Sequence, residues 1–174
     1  MKLKFNLYLG VFFITSLLQL QAQSHYQEII RYENKKIKTV FTYNSNHQLD
    51  GETIHYYPNG LEKSVINYKN DKVDGEVMNF YSNGMTESVG TVTQDLAHGQ
   101  FEYFHENGKP KQKIVYYNNL VVGILDCYLP NGDKVYCGVI NIGNGFINIY
   151  DRKGNVVAKD IFKEGKMVER QYVE

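Results

Sequence analysis

Apolar and polar residues alternate, imperfectly, with a period of two over Glu52–Tyr57 and again over Leu61–Tyr68, and both runs are rich in β-branched and aromatic residues. Such alternation predicts half-buried strands. Pro58-Asn59-Gly60 separates the two runs. Asn-Gly is the strongest short hairpin signal, because glycine takes a positive φ without a Cβ clash, and the proline pre-sets φ ahead of it. The two runs therefore read as one hairpin. No stretch after residue 24 shows the 3.6-residue periodicity of a helix.

The hairpin recurs. Gly51, Gly75, Gly99 and Gly123 are spaced by 24 residues, as are the glycines of four Asn-Gly pairs, Gly60, Gly84, Gly108 and Gly132. One aromatic keeps a fixed place in each copy: Tyr56, Phe80, Phe104 and Tyr128. Three landmarks agreeing across these copies mark an internal repeat. A second turn joins each copy to the next, at Ser45-Asn46, Asn70-Asp71, Gln94-Asp95, Asn118-Asn119 and Ile142-Gly143, with a last one at Glu164-Gly165. The copies fall at about 28–50, 51–74, 75–98, 99–122, 123–144 and 145–174. The outer copies diverge, as expected for repeats that face water on one side. Tyr32 and Lys36 stand one period before Tyr56 and Gly60, and after Gly123 the next copy is two residues short. The fold class that follows is all-β: an elongated, single-layer antiparallel meander of tandem β-hairpins over residues 23–174. The landmark aromatics, on equivalent strands, are expected to stack as a ladder in place of a compact two-layer core.

Residues 1–22 stand apart from this pattern. Lys2 and Lys4 precede an apolar run from Phe5 to Leu20, and Gln21-Ala22-Gln23-Ser24 offers small residues for cleavage after Ala22. This is the layout of a secretory signal peptide. A membrane anchor needs roughly 20 predominantly apolar residues, whereas this run is shorter and diluted by Asn6, Gly10, Thr15, Ser16 and Gln19. The expectation is export, to a periplasmic or extracellular location. Basic and acidic side chains number 19 each, and removal of Lys2 and Lys4 leaves a small acidic excess. Such a balance excludes general attraction to nucleic acid.

Candidate chemistry is sparse. Cys127 and Cys137 flank the Pro130-Asn131-Gly132 turn. A three-residue loop would set Cys127 opposite Val135, with Cys137 a diagonal neighbour on the same face; a looser loop would set the two cysteines opposite each other. They are a candidate disulfide, or else two half-buried thiols. His55, His98 and His105 have no cysteine or carboxylate partners at ligand spacing, so no metal or other cofactor is expected. No nucleophile–base arrangement, phosphate-binding loop or dinucleotide fingerprint stands out, and the chain reads as non-catalytic. Lys109, Lys111 and Lys113 alternate along one strand near Lys134. With Phe101, Tyr103 and His105 they form the candidate binding face, for an acidic partner or anionic lipid, unless they are a solvated face that discourages wrong edge pairing. Asn141-Ile142-Gly143-Asn144-Gly145, where the period slips, reads as a looser turn, a hinge or a docking loop.

The unit Gly51-Glu52-x-x-x-Tyr56-Tyr57-Pro58-Asn59-Gly60, followed by Tyr68-Lys69-Asn70-x-x-x-x-Gly75, resembles the MORN-repeat-variant proteins of bacteria. The resemblance covers about residues 30–170. The family pattern often has Trp or Phe two residues after the first glycine, where this chain has Thr53, Val77, Phe101 and Leu125. Its return-strand glycine is present as Gly90 and Gly138 and replaced at Ile66 and Ile114. The broad, nearly flat surface of a repeat array favours a scaffold that binds another protein. The resemblance implies the tandem-hairpin fold. It also implies, as alternatives, association with membrane or envelope lipid, or an antitoxin-like role in neutralising a toxin in the same compartment.

Overall fold

The computed structural model describes residues 25–173; the signal-peptide reading of residues 1–22 lies outside them. Fifteen strands, and no helix, make up the described residues. They are β1 (Tyr26–Arg31), β2 (Ile37–Tyr43), β3 (Gly51–Tyr56), β4 (Glu62–Lys69), β5 (Lys72–Phe80), β6 (Thr86–Thr93) and β7 (Leu96–Ala97). After these come β8 (Gly99–Phe104), β9 (Pro110–Tyr117), β10 (Leu120–Tyr128), β11 (Lys134–Val135), β12 (Gly138–Asn141), β13 (Asn144–Tyr150), β14 (Val156–Lys163) and β15 (Lys166–Tyr172). Strands β1–β11 form one sheet in sequence order, with β7 paired to β6, and β12–β15 form a second sheet of four. The chain is an antiparallel meander of consecutive hairpins throughout.

Two turn chemistries alternate. At each Asn-Gly turn the glycine N–H donates to the carbonyl three residues back, as Gly60 does to Tyr57 (2.9 Å), with Gly60 at φ 97°. The Asn59 side-chain oxygen accepts the Leu61 N–H at 3.0 Å, which holds the turn closed. The turns at Gly60, Gly84 and Gly108 are each flanked by a register shift, between His55 and Tyr56 in the first of them, whereas the turn at Gly132 has none. The other turns place both central residues at positive φ: Asn70 and Asp71 at 50° and 67°, Gln94 and Asp95 at 50° and 67°, Ile142 and Gly143 at 47° and 79°. These are mirror-image turns whose backbone twist matches that of the strands they join. The period slip at residues 141–145 is therefore one of these two-residue turns. The first copy is one residue longer than the period, because its closing turn contains Ser45, Asn46 and His47, with His47 at φ 61°. That extra residue puts Lys35, at φ 66°, in the role of Gly60, and Tyr32 in the role of Tyr57 rather than Tyr56.

Three columns of side-chain hydrogen bonds tie copy to copy. Tyr57 donates to the Phe80 carbonyl (2.8 Å), Tyr81 to the Phe104 carbonyl (2.7 Å), and His105 Nε2 bonds the Tyr128 carbonyl (2.8 Å). Tyr32 starts this column on the Tyr56 carbonyl at 2.6 Å. Asn59, Asn83 and Asn107 donate Nδ2 to the carbonyls of Ser82, Glu106 and Pro130. At the opposite edge, Asp71, Asp95 and Asn119 accept the N–H groups of Leu49, Val73 and Ala97 at 2.6–2.8 Å. The expected ladder of rings is corrected here. Among the described residues, no ring contact joins Tyr56, Phe80, Phe104 and Tyr128 to one another. What these four landmark residues supply is their carbonyls.

All three columns stop at the fifth copy, residues 123–144. Leu129 stands where Tyr57, Tyr81 and His105 stand in earlier copies and has no donor. Gly143 follows Asp71, Asp95 and Asn119 and has no side chain. Asn131 turns back to Asp133 at 2.7 Å instead of reaching a further copy. The return strand breaks at the same place. Its first part, β11, pairs with β10, and the rest, β12, pairs only with β13. Gly138 lies at φ 96°, and a Cβ there would sit 2.4 Å from the Phe146 carbonyl oxygen, so only glycine allows the departure. The second sheet packs back on the first. Ile147 and Phe162 bury against Ile114 and Val121, with Tyr103, Tyr116, Ile124 and Ile140 around them. Val121, deprived of a partner at Gly143, donates to the Gly165 carbonyl at 2.9 Å.

Tyr81→Phe removes one rung of a column and is expected to cost about 0.5–1.5 kcal/mol, read as a fall in Tm of about 2–4 °C per kcal/mol. Ile142, 83% exposed at φ 47°, carries a β-branched side chain in a left-handed conformation. Ile142→Asn is expected to raise stability by about 1 kcal/mol in urea unfolding.

Candidate functional site

Strand register decides which side chains share a face. Glu102 lies opposite Lys113, Tyr103 opposite Gln112, and Phe101 opposite Ile114. Opposed residues point the same way and neighbours alternate. Phe101, Tyr103, Gln112 and Ile114 therefore share the face that the second sheet covers, while Glu102 and Lys113 share the other. The candidate binding face is thus corrected: its aromatics and its lysines do not lie together. The expectation rested on alternation within each strand, and only the pairing across strands sets one strand's faces against the next.

Each of its six residues has a definite place. The Phe101 ring lies 5.0 Å from that of Tyr116 and fills the space above Gly90. The Tyr103 hydroxyl meets the Tyr116 hydroxyl at 3.0 Å, and burial, reinforced by that bond, pushes its pKa well above the ordinary phenol range. Lys113 pairs with Glu102 at 2.6 Å, and Lys109 donates Nζ to the Asn131 carbonyl at 2.5 Å. The nearby Lys134 pairs with Asp126 at 2.7 Å. Lys111 is the extra residue of the register shift between Tyr103 and Phe104 and has no cross-strand partner. His105 and Lys111, alone of the six, line one concavity.

That concavity is a cleft of about 240 Å³ at the seam between the two sheets. Cys127, Leu129 and Val135 line it from the first sheet and its turn, and Asn148, Ile149, Asp151 and Arg152 from the second. The seam is sutured from both sides. Cys127 and Cys137 form a disulfide with Cα atoms 5.3 Å apart. Cys127 lies opposite Val135, so the two cysteines are diagonal neighbours. Cys137 accepts the Asn148 N–H at its carbonyl (2.8 Å), and the Tyr136 carbonyl accepts from both Asn148 Nδ2 (3.1 Å) and the Tyr150 hydroxyl (2.5 Å). A carbonyl only accepts, so the bond from His105 to Tyr128 places the neutral imidazole's proton on Nε2.

The charges around the cleft are unequal in freedom. No ion pair or hydrogen bond engages Lys111 or Arg152 among the described residues. Asp151 is committed to its own turn, accepting from the N–H groups of Lys153 and Asn155 and from Asn155 Nδ2, and these bonds hold its carboxyl below the usual range. At the far end of the same face, His55 meets Thr39 Oγ1 at 3.1 Å; burial and then Lys63 and Lys38 keep its imidazole below the ordinary histidine range. Among the described residues, no group of three or more His, Cys, Asp or Glu is arranged to hold a metal. Sequence reasoning missed Leu129, Val135, Asn148, Ile149 and Arg152. The signal that marked them was the loss of column donors at positions 129 and 143 together with the shortened copy.

A profile of the MORN repeat variant family matches residues 49–70 and 97–119. Both segments are MORN-variant repeats. The matched segments contain β3–β4 and β8–β9, two of the three hairpins in which the columns are complete. The chain has no match among curated proteins. MORN repeats are generally modules for interaction with proteins or membranes and are typically non-catalytic.

A disulfide closing so short a loop, with cysteines 10 residues apart, contributes about 2–4 kcal/mol in the usual case. A Cys127→Ser/Cys137→Ser variant is expected to lose that much in urea unfolding. Its β12 amides are expected to exchange faster than those of β4.

Proposed function

We propose that this chain is an exported, non-catalytic interaction module that engages a partner protein at the seam between its two sheets. One observation carries the reading: the repeats commit their turn tyrosines, asparagines and aspartates to copy-to-copy bonds, whereas the seam sets two uncommitted cations, Lys111 and Arg152, beside apolar walls in a concavity. A repeat array supplies the rigid frame, and a break in it supplies the place where a visitor fits. Export is supported by the leader-like residues 1–22 and by a disulfide of the kind that persists in oxidising compartments. Binding to anionic lipid through Lys109, Lys111 and Lys113 is less favoured, because Lys109 and Lys113 are already engaged. An antitoxin-like role is a special case of the proposal, in which the partner is a toxin in the same compartment.

The test is photo-crosslinking in cell envelopes, with the crosslinking amino acid placed at Lys111 and, as a control, at the exposed Lys72 of β5. The expected result is one protein adduct from position 111, absent from position 72 and lost on Arg152→Glu. Adducts to lipid alone, no adduct at position 111, or substrate turnover that disappears in His105→Ala would overturn the proposal.

A further inference from the structure

The seam cleft specifies more than a generic partner. Its volume of about 240 Å³ is below the roughly 300–1,000 Å³ of pockets that enclose drug-sized ligands. It suits one amino-acid residue rather than a folded segment. Leu129, Val135 and Ile149, with the Cys127–Cys137 disulfide, give it apolar walls. Arg152 and Lys111 outnumber the one acid of the lining, Asp151, which stays ionised but spends its hydrogen bonds on Asn155 and Lys153. The cleft therefore keeps a net positive charge, and neither cation has an ion-pair partner among the described residues. A guanidinium presents a planar fork that matches a carboxylate through two parallel hydrogen bonds. Asn148 adds a second polar demand. It is 9% exposed, its Nδ2 is committed to the Tyr136 carbonyl, and its Oδ1 accepts no hydrogen bond and is covered, so a donor entering the cleft reaches it on a small shift of the side chain. A buried acceptor in this condition is stabilised by an arriving N–H donor.

We infer that the cleft captures the C-terminal residue of a partner polypeptide, with the terminal carboxylate on Arg152, the apolar side chain between Leu129 and Ile149, and the terminal amide N–H available to Asn148. The inference rests on the reading of this chain as a protein-interaction module and names the part of the partner that is recognised. The three features together separate the candidates. A fatty acid supplies an anion and an apolar body but no N–H. An internal acidic segment supplies a carboxylate and amides, but it runs on in both directions and needs an open groove. A chain end combines all three groups within the size of one residue, as does a free amino acid, and the interaction-module reading selects the chain end.

The experiment uses the oxidised chain of residues 23–174, isotope-labelled, with amide shifts of Cys127, Val135 and Ile149 as the readout. Three probes are titrated: a pentapeptide ending in leucine with a free carboxylate, the same peptide amidated, and decanoate. The expected result is that the free acid binds about ten-fold or more tighter than the amide, that decanoate is the weaker anion, and that Arg152→Gln abolishes the preference without changing Tm. The control Arg31→Gln, on β1 of the first sheet, is expected to leave the preference intact. Equal binding of acid and amide, decanoate binding as well as the free acid, no shifts at the seam, or a preference that survives Arg152→Gln would each overturn the inference. If these probes fail while the crosslink from position 111 to a protein persists, this inference falls and the interaction reading stands.

Discussion

The bond from a side chain in one copy to a backbone carbonyl or N–H in the next is the interaction on which this molecule depends. A narrow meander with little two-sided core has few places to hide apolar surface, and its core residues are scattered along the ribbon until the second sheet arrives. Each hairpin could form alone only marginally. Register between hairpins therefore needs directional contacts that repeat at the same spacing as the chain. The tyrosine, asparagine and aspartate columns supply them. They run at both edges of the ribbon, so each copy is pinned at its two ends, and the strands between are held in place by their ladder bonds and by rows of small and apolar side chains.

This mode of assembly has a consequence for chemistry. Groups that in another fold would be candidates for acid–base work, the column tyrosine hydroxyls, the His105 imidazole and the turn carboxylates, are engaged in structural bonds at 2.6–2.8 Å. The ribbon thus presents broad surfaces whose polar atoms are mostly satisfied. Departure from the repeat, rather than the repeat itself, is what creates a concave and incompletely satisfied environment. At the seam a glycine, a disulfide and the loss of two column residues fold the last two hairpins back on the first sheet. The resulting cleft is bounded by the disulfide-closed hairpin on one side and by β13 and its following turn on the other.

The hairpins were legible because their signals are local. Gly60, Gly84, Gly108 and Gly132 announce turns through a conformational freedom that no neighbour can supply, and the alternation of Glu52–Tyr57 and Leu61–Tyr68 announces strands. Spacing along the chain does not specify the aromatic contacts, because it tells which residues are equivalent, not which atoms of them touch. Tyr56, Phe80, Phe104 and Tyr128 are equivalent, yet it is their carbonyls that the residues one place further on address. The candidate binding face failed for a related reason. Lys111 and Lys113 were sorted by alternation within β9, but a register shift removes Lys111 from the alternation and the pairing of Tyr103 with Gln112 sets the aromatics on the opposite side.

The sequence by itself determined the repeat, both turn types and the point at which the columns end, because each depends on a single residue's own geometry or donor: glycine at positive φ, a tyrosine hydroxyl, a turn asparagine, and their absence at Leu129 and Gly143. Only the tertiary structure decided that the chain turns back at Cys137, that Ile147 and Phe162 close a core over Ile114 and Val121, and that Arg152 and Asn148 arrive beside Lys111. Those outcomes join residues from copies that no longer share a register, and nothing in the spacing of a repeat specifies how its last copies pack once the spacing is broken.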